Sequence, residues 1–144
     1  MAKRILLVDD ESAVLFAYKK VLQREQFKVD AIDSKDGSYA LLERNSYDVA
    51  ILDLRLGGES SEEGFELLRH IKDEHPETVI IMITAHGNQE VRDRAYQLGA
   101  DHYFEKPVST SRIREALAVS GVMPADRAIS NGALEAPAPK VIEK

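Results

Sequence analysis

Five residues of this 144-residue chain could do chemistry together: Asp9, Asp10, Asp53, Thr84 and Lys106. Each ends or follows a short apolar, β-branched run, so each is expected at the carboxyl end of a strand. Three carboxylates brought within a few ångströms repel one another, and at least one pKa rises unless a cation neutralises them. A hard divalent ion answers that need. Mg²⁺, or Mn²⁺ in its place, takes one or two carboxylates, waters and a phosphate oxygen. Lys106 adds a point charge suited to phosphate. Thr84 adds a hydroxyl, and the small Ala85 leaves room for its own backbone N–H. A carboxylate nucleophile, a metal, a lysine and a hydroxyl are the parts for in-line phosphoryl transfer to an aspartate, driven by positioning and charge neutralisation. Taken singly, each is more simply a turn, capping or solvated loop residue. Only their joint placement at one sheet edge is beyond what capping explains.

The elements that must position them are legible as period. Apolar runs at Arg4–Val8, Lys28–Ile32, Val49–Leu52, Val79–Thr84 and Asp101–Phe104 read as five strands, the third and fourth near-continuous in apolar residues as in central strands covered on both faces. Between them, 3.6-residue spacing predicts helices over Ser12–Arg24 (with Ser12 as N-cap), Lys35–Arg44, Gly64–Asp73, Asn88–Leu98 and Thr110–Val119. Pro76 follows the third helix as a stop, and Gly99 ends the fourth. Strict alternation of strand and helix calls for an α/β fold with helices on both faces of a parallel sheet. The commonest such arrangement with five strands is the doubly wound, flavodoxin-like order 2-1-3-4-5, whose sites form at the carboxyl strand ends near the switch point between strands 1 and 3.

Composition bounds the rest. Hydrophobic residues make up 44% and charged residues 31%, a balance ordinary for a globular protein. No apolar run approaches the roughly 20 residues of a membrane span, and the start MAKRILLVDD turns acidic too early for a signal peptide. No cysteine is present, which excludes disulfides and thiolate metal sites. A cytoplasmic location is the default. A net charge of −6 argues against direct nucleic-acid binding. Residues 121–144 hold three of the five prolines and show no period, so the expected organisation is one domain over 1–120 and a linker or disordered tail over 121–144.

Read together in order and spacing, ILLVDDE (5–11), YDVAILDLRL (47–56), IIMITAHG (80–87), LGAD (98–101) and YFEKPV (103–108) resemble the receiver domains of two-component response regulators, over about Lys3 to Val119. The ITAHG segment leans toward receivers of the nitrogen-regulation type and of hybrid kinases. The resemblance implies a phosphorylation switch, not an enzyme acting on free substrate. A histidine kinase or histidine phosphotransfer protein would be the phosphodonor and a downstream effector the reader, with a phosphorylation-dependent homodimer open. Carried over by position, it implies Asp53 as phosphoacceptor, Asp10 as direct metal ligand, Asp9 holding the metal largely through water, and the backbone carbonyl of Arg55 as a further ligand. Lys106 would contact the phosphoryl group, with a cis bond to Pro107. Thr84 would move to the phosphoryl oxygen, and Tyr103 would then swing inward, coupling the site to the helix 4–strand 5–helix 5 face; packing alone would also suffice for a tyrosine at 103.

Two departures from that pattern stand out. The family's Met-Pro after the phosphoacceptor is missing, and Gly64 lies eleven positions after Asp53, about three more than usual. The extra length falls in Gly57–Glu63, where Glu59, Glu62 and Glu63 would either influence partner docking or form a solvated, flexible loop. Arg55 and His86, two positions past the phosphoacceptor and Thr84, would flank the phosphoryl group and slow its hydrolysis. His70, His75 and His102 read as surface or loop residues. Two other classes use similar parts. A haloacid-dehalogenase-type phosphatase wants Asp-x-Asp after strand 1 and more chain to cover its substrate. A pseudo-receiver binding module would keep the fold without the phosphorylation.

Overall fold

The computed structural model describes residues 2–58 and 61–122. The chain divides into two compact units, Met1–Lys106 and Pro107–Lys144. The first carries β1 (Arg4–Val8), α1 (Ser12–Arg24), β2 (Lys28–Ile32), α2 (Lys35–Arg44), β3 (Val49–Leu52), α3 (Glu63–Glu74), β4 (Val79–Thr84), α4 (Gln89–Leu98) and β5 (His102–Glu105). The second carries α5 (Thr110–Val119), which buries Ile113, Ala116 and Leu117. Most of the tail expected over 121–144, and Glu59 of the long loop, lie outside the described residues.

All strand pairs are parallel and the order is β2-β1-β3-β4-β5, as the alternation of elements predicts. Leu6 and Val8, Ala50 and Leu52, and Ile80 and Met82 share one core with Leu42 of α2, Phe65, Leu67, Leu68 and Ile71 of α3, and Ala95 of α4. The alternate residues Ile5, Leu7, Val49, Ile51, Ile81 and Ile83 point the other way and are just as buried, which is why the central strands read as unbroken apolar runs. Burying each such side chain contributes about 1.5–3 kcal/mol.

Several boundaries depart from the expected ones. Ser12 is not the N-cap of α1; Glu11 occupies that position, with φ −96° and ψ 112°, and its side chain makes no capping bond. α3 begins one residue earlier and ends one later than predicted. Asn88 stands outside α4 as a true N-cap, its side chain accepting from the Val91 N–H at 2.8 Å. β5 starts at His102 rather than Asp101, because the Asp101 carboxylate turns back to accept the Ile80 N–H at 2.9 Å. Three histidines are less superficial than expected: His70 lies 4.6 Å, centroid to centroid, from the ring of Tyr39, His102 stacks on Phe104, and His75 is half-buried at the end of α3.

Candidate functional site

Strand register builds the site. Val8 pairs with Leu52, so the residues that follow, Asp9 and Asp53, emerge side by side. The Asp53 N–H donates to the Val8 carbonyl at 2.9 Å, extending the ladder one step. Asp9 is held on its other side by its N–H to Ile32, at 3.2 Å. Across β4, the Lys106 N–H bonds the Thr84 carbonyl at 2.9 Å, which brings the lysine back to the same edge. α3 closes on this edge at Gly64, whose N–H donates to the Leu54 carbonyl at 2.8 Å. A Cβ there would overlap the Asp53 carbonyl oxygen and Leu54, so a residue with no side chain is needed.

Asp9, Asp10 and Asp53 each offer a carboxylate oxygen within 4.8 Å of the others. Asp9 and Asp53 are buried and Asp10 is exposed. Lys106 Nζ lies 2.9 Å from Asp9 Oδ2, 3.1 Å from Glu11 Oε1 and 3.4 Å from Asp53 Oδ2. The second oxygen of Asp9 accepts the Glu11 N–H at 2.9 Å, and that of Asp53 accepts the Arg55 N–H at 3.4 Å. Burial, then the neighbouring Asp9 charge, pushes the Asp53 carboxyl up to about 6, against the pull of Lys106. For Lys106, burial disfavours the ammonium, but the bond to Asp9 and the charges of Asp53 and Glu11 outweigh it and its pKa is raised. A single lysine therefore leaves the cluster short of positive charge. The donor set is all oxygen, partly open to solvent through Asp10, and fits a hard divalent cation.

Thr84 is fully buried, and its Oγ1 accepts the His86 N–H at 3.1 Å, which ties the loop after β4 to the strand. Tyr103 is already inside, 4% exposed, its hydroxyl donating to Glu105 Oε2 at 3.4 Å. Arg55 is half-buried, with Nε enclosed and no hydrogen-bond partner among the described residues, whereas His86 is exposed. The structure thus joins Asp9, Asp10, Asp53 and Lys106 directly, sets Thr84 one strand over from Asp53, and lays the Tyr103 hydroxyl against Gly87 of the β4–α4 loop. The long loop is anchored at its end: Glu62 meets Arg94 of α4 at 3.0 Å, and the Arg94 guanidinium lies over the Phe65 ring at 4.7 Å. Glu11 is the site residue that sequence reasoning passed over. A glutamate where a Ser, Asp or Asn would cap a helix was the available signal.

Residues 5–118 match the family model described as the response regulator receiver domain. The alginate biosynthesis transcriptional regulatory protein AlgB of Pseudomonas aeruginosa is 37% identical over 115 residues, 80% of this chain. The chain spans only 25% of that regulator's length. Among solved structures, a CheY-like receiver domain protein from Methanospirillum hungatei superposes with a TM-score of 0.77 at 29% identity, covering 92% of this chain and all of that one. A Burkholderia pseudomallei response regulator with a phosphorylated aspartic acid, a calcium ion and citrate superposes with a TM-score of 0.75 at 26% identity, over 90% of this chain and 75% of that one.

Proposed function

The chain belongs to the response regulator receiver domains, the phosphorylation-activated switches of two-component signalling, and on that premise we propose that Asp53 is its phosphoacceptor. The observation that carries the assignment is Lys106 Nζ bridging Asp9 and Asp53, with Asp10 beside them, at the switch point of the sheet. Asp9, Asp10, Asp53 and the backbone carbonyl of Arg55 would hold Mg²⁺ or Mn²⁺, which supplies charge neutralisation on the phosphoryl oxygens. An Asp53 Oδ attacks the phosphorus of a phosphohistidine on a histidine kinase or phosphotransfer protein. The O–P bond forms as the P–N bond breaks, and the imidazole leaves with a proton. Lys106 keeps its charge throughout and moves toward the new phosphoryl oxygens.

The acyl phosphate adds negative charge and strong acceptors beside Thr84. The Thr84 hydroxyl turns to it, the loop fastened to Thr84 through His86 follows, and Tyr103 and α4 report the change to an effector. On this reading the protein assists its own phosphorylation and hydrolysis, and its output is the switched state and not a product. Among the described residues no helix is long and apolar enough to cross a membrane. Intact mass after incubation with acetyl phosphate and Mg²⁺ tests the reading: one phosphoryl group is expected on the wild type and none on Asp53→Ala. Equal labelling of the two, or of neither, would leave a binding module in place of a switch.

A further inference from the structure

The three carboxylates on Lys106 are not equivalent. An ammonium has three protons to donate, and Asp9, Glu11 and Asp53 take all three. Asp9 and Asp53 are buried, so releasing either strands a desolvated charge. The Glu11 side chain is 60% exposed and returns to water at little cost. Glu11 also holds the N-cap position of α1 without capping it. The N-cap side chain normally accepts an orphan amide of the first turn; here it reaches instead to a residue 95 positions away.

We propose that Glu11 is a positioning residue that occupies the third donor of Lys106 at rest and yields it to the incoming phosphoryl group. This rests on the reading of Asp53 as phosphoacceptor. A phosphoryl oxygen arriving at Asp53 needs a donor from Lys106, and the Glu11 contact is the one that can be surrendered without burying a bare charge. Glu11 thereby restrains labelling by small anionic donors, both by holding the lysine and by adding negative charge at the mouth of the site. In that labelling Asp53 attacks the phosphorus of acetyl phosphate, its O–P bond forms, and the P–O bond to acetate breaks with acetate leaving.

The variant Glu11→Gln tests this in the full chain. Labelling by acetyl phosphate with Mg²⁺ should be about two- to fivefold faster than wild type, the range that one exposed ion pair commands, and beryllofluoride should bind tighter by a similar factor. In metal-free protein the Lys106 ammonium resonance, assigned by its loss in Lys106→Met, should shift in ¹⁵N-edited NMR. Glu11→Asn should release the lysine likewise while capping α1, raising the thermal midpoint by roughly 3 °C. An unmoved resonance overturns the proposal, as does a rate or beryllofluoride affinity that does not rise. A lower midpoint in Glu11→Asn would make Glu11 a structural residue and overturn it too. If the wild type takes up neither acetyl phosphate nor beryllofluoride, the functional reading fails instead, and the metal-free resonance alone decides the Glu11 contact.

Discussion

The hydroxyl of Tyr103 occupies the space that a Cβ would take on Gly87, so the buried position of the ring depends on there being no side chain at residue 87. Burial, with the nearby Glu105 charge, pushes the phenol up to about 12. Gly87→Ala should force the ring out or distort the loop after β4, at a cost of about 1–3 kcal/mol as in an overpacked core. Tyrosine nitration mapped by mass spectrometry reads it directly: Tyr103 should be protected in the wild type and modified in Gly87→Ala. Protection in both would mean the loop moves and the ring does not.

Asp53 makes the metal-free protein sensitive to pH in a direction opposite to that of most carboxylates. Its folded pKa of about 6 lies above the value of about 3.9 expected unfolded. Its contribution to stability is therefore whole below about pH 4 and is lost as the pH rises through 6, by about 2–3 kcal/mol. Urea denaturation without metal should show that decline in the wild type and not in Asp53→Asn, which should be the more stable of the two at pH 7. Mg²⁺ should restore wild-type stability at pH 7 and much less at pH 5, where protons compete for the same oxygens. A stability that climbs between pH 5 and 7 without metal would contradict the raised pKa.

Lys106 balances three carboxylates, two of them buried, so its removal should be felt in two opposite ways. Lys106→Met should lower metal-free stability at pH 7 by about 2–4 kcal/mol, the cost of breaking a buried ion pair, and by less at pH 5 as Asp53 takes up a proton. Mg²⁺ affinity should rise, by roughly tenfold, because the metal no longer displaces an ammonium from Asp9 and Asp53. Calorimetric titration of the two proteins separates this from a simple folding defect, which could only weaken binding.

Strand order and the convergence of Asp9, Asp53 and Lys106 were readable because they follow from period and register, which one-dimensional spacing carries. Where a side chain turns once its backbone is placed is not carried by spacing. Spacing predicts Ser12 as the cap of α1, yet the backbone starts the helix at Ser12 and sends Glu11 to Lys106. For Tyr103 spacing left packing and an inward swing both open, and did not show that its place at rest depends on a glycine sixteen positions earlier in another loop. The β5 start slipped by one residue because the Asp101 carboxylate takes the Ile80 amide, although the Asp101 N–H still bonds the Ile80 carbonyl at 2.8 Å.

The longer loop after Asp53 reaches α4 through Glu62, Arg94 and Phe65. Both charged side chains are about half exposed, at 51% and 54%, so the ion pair itself should contribute under about 0.5 kcal/mol. The guanidinium over the ring adds about 0.5–1 kcal/mol. Arg94→Ala should consequently cost about 1 kcal/mol and Glu62→Gln clearly less, with a double-mutant cycle in denaturant returning a coupling of no more than about 0.5 kcal/mol. A larger coupling would mark the loop as a strut for α4 and not a solvated connection.

On the proposed reading of Asp53 as phosphoacceptor, Arg55 and His86 should set how long the phosphoryl group lasts. Arg55 follows Asp53 by two residues, its own N–H already on the carboxylate, and its Nε is enclosed with no hydrogen-bond partner among the described residues. A phosphoryl oxygen is the acceptor that such a donor lacks. His86 is held through its N–H to Thr84, so on that reading a threonine hydroxyl turning inward would draw it toward the site. The two side chains would then stand between the phosphorus and the water needed for in-line attack. Replacing both with alanine should shorten the lifetime of the acyl phosphate by about three- to tenfold, a loss of roughly 0.7–1.4 kcal/mol from the barrier to hydrolysis. Phosphate release from protein loaded with acetyl phosphate and freed of excess donor measures it. A lifetime that is unchanged or longer in the double variant would mean that these residues assist the attacking water instead of excluding it.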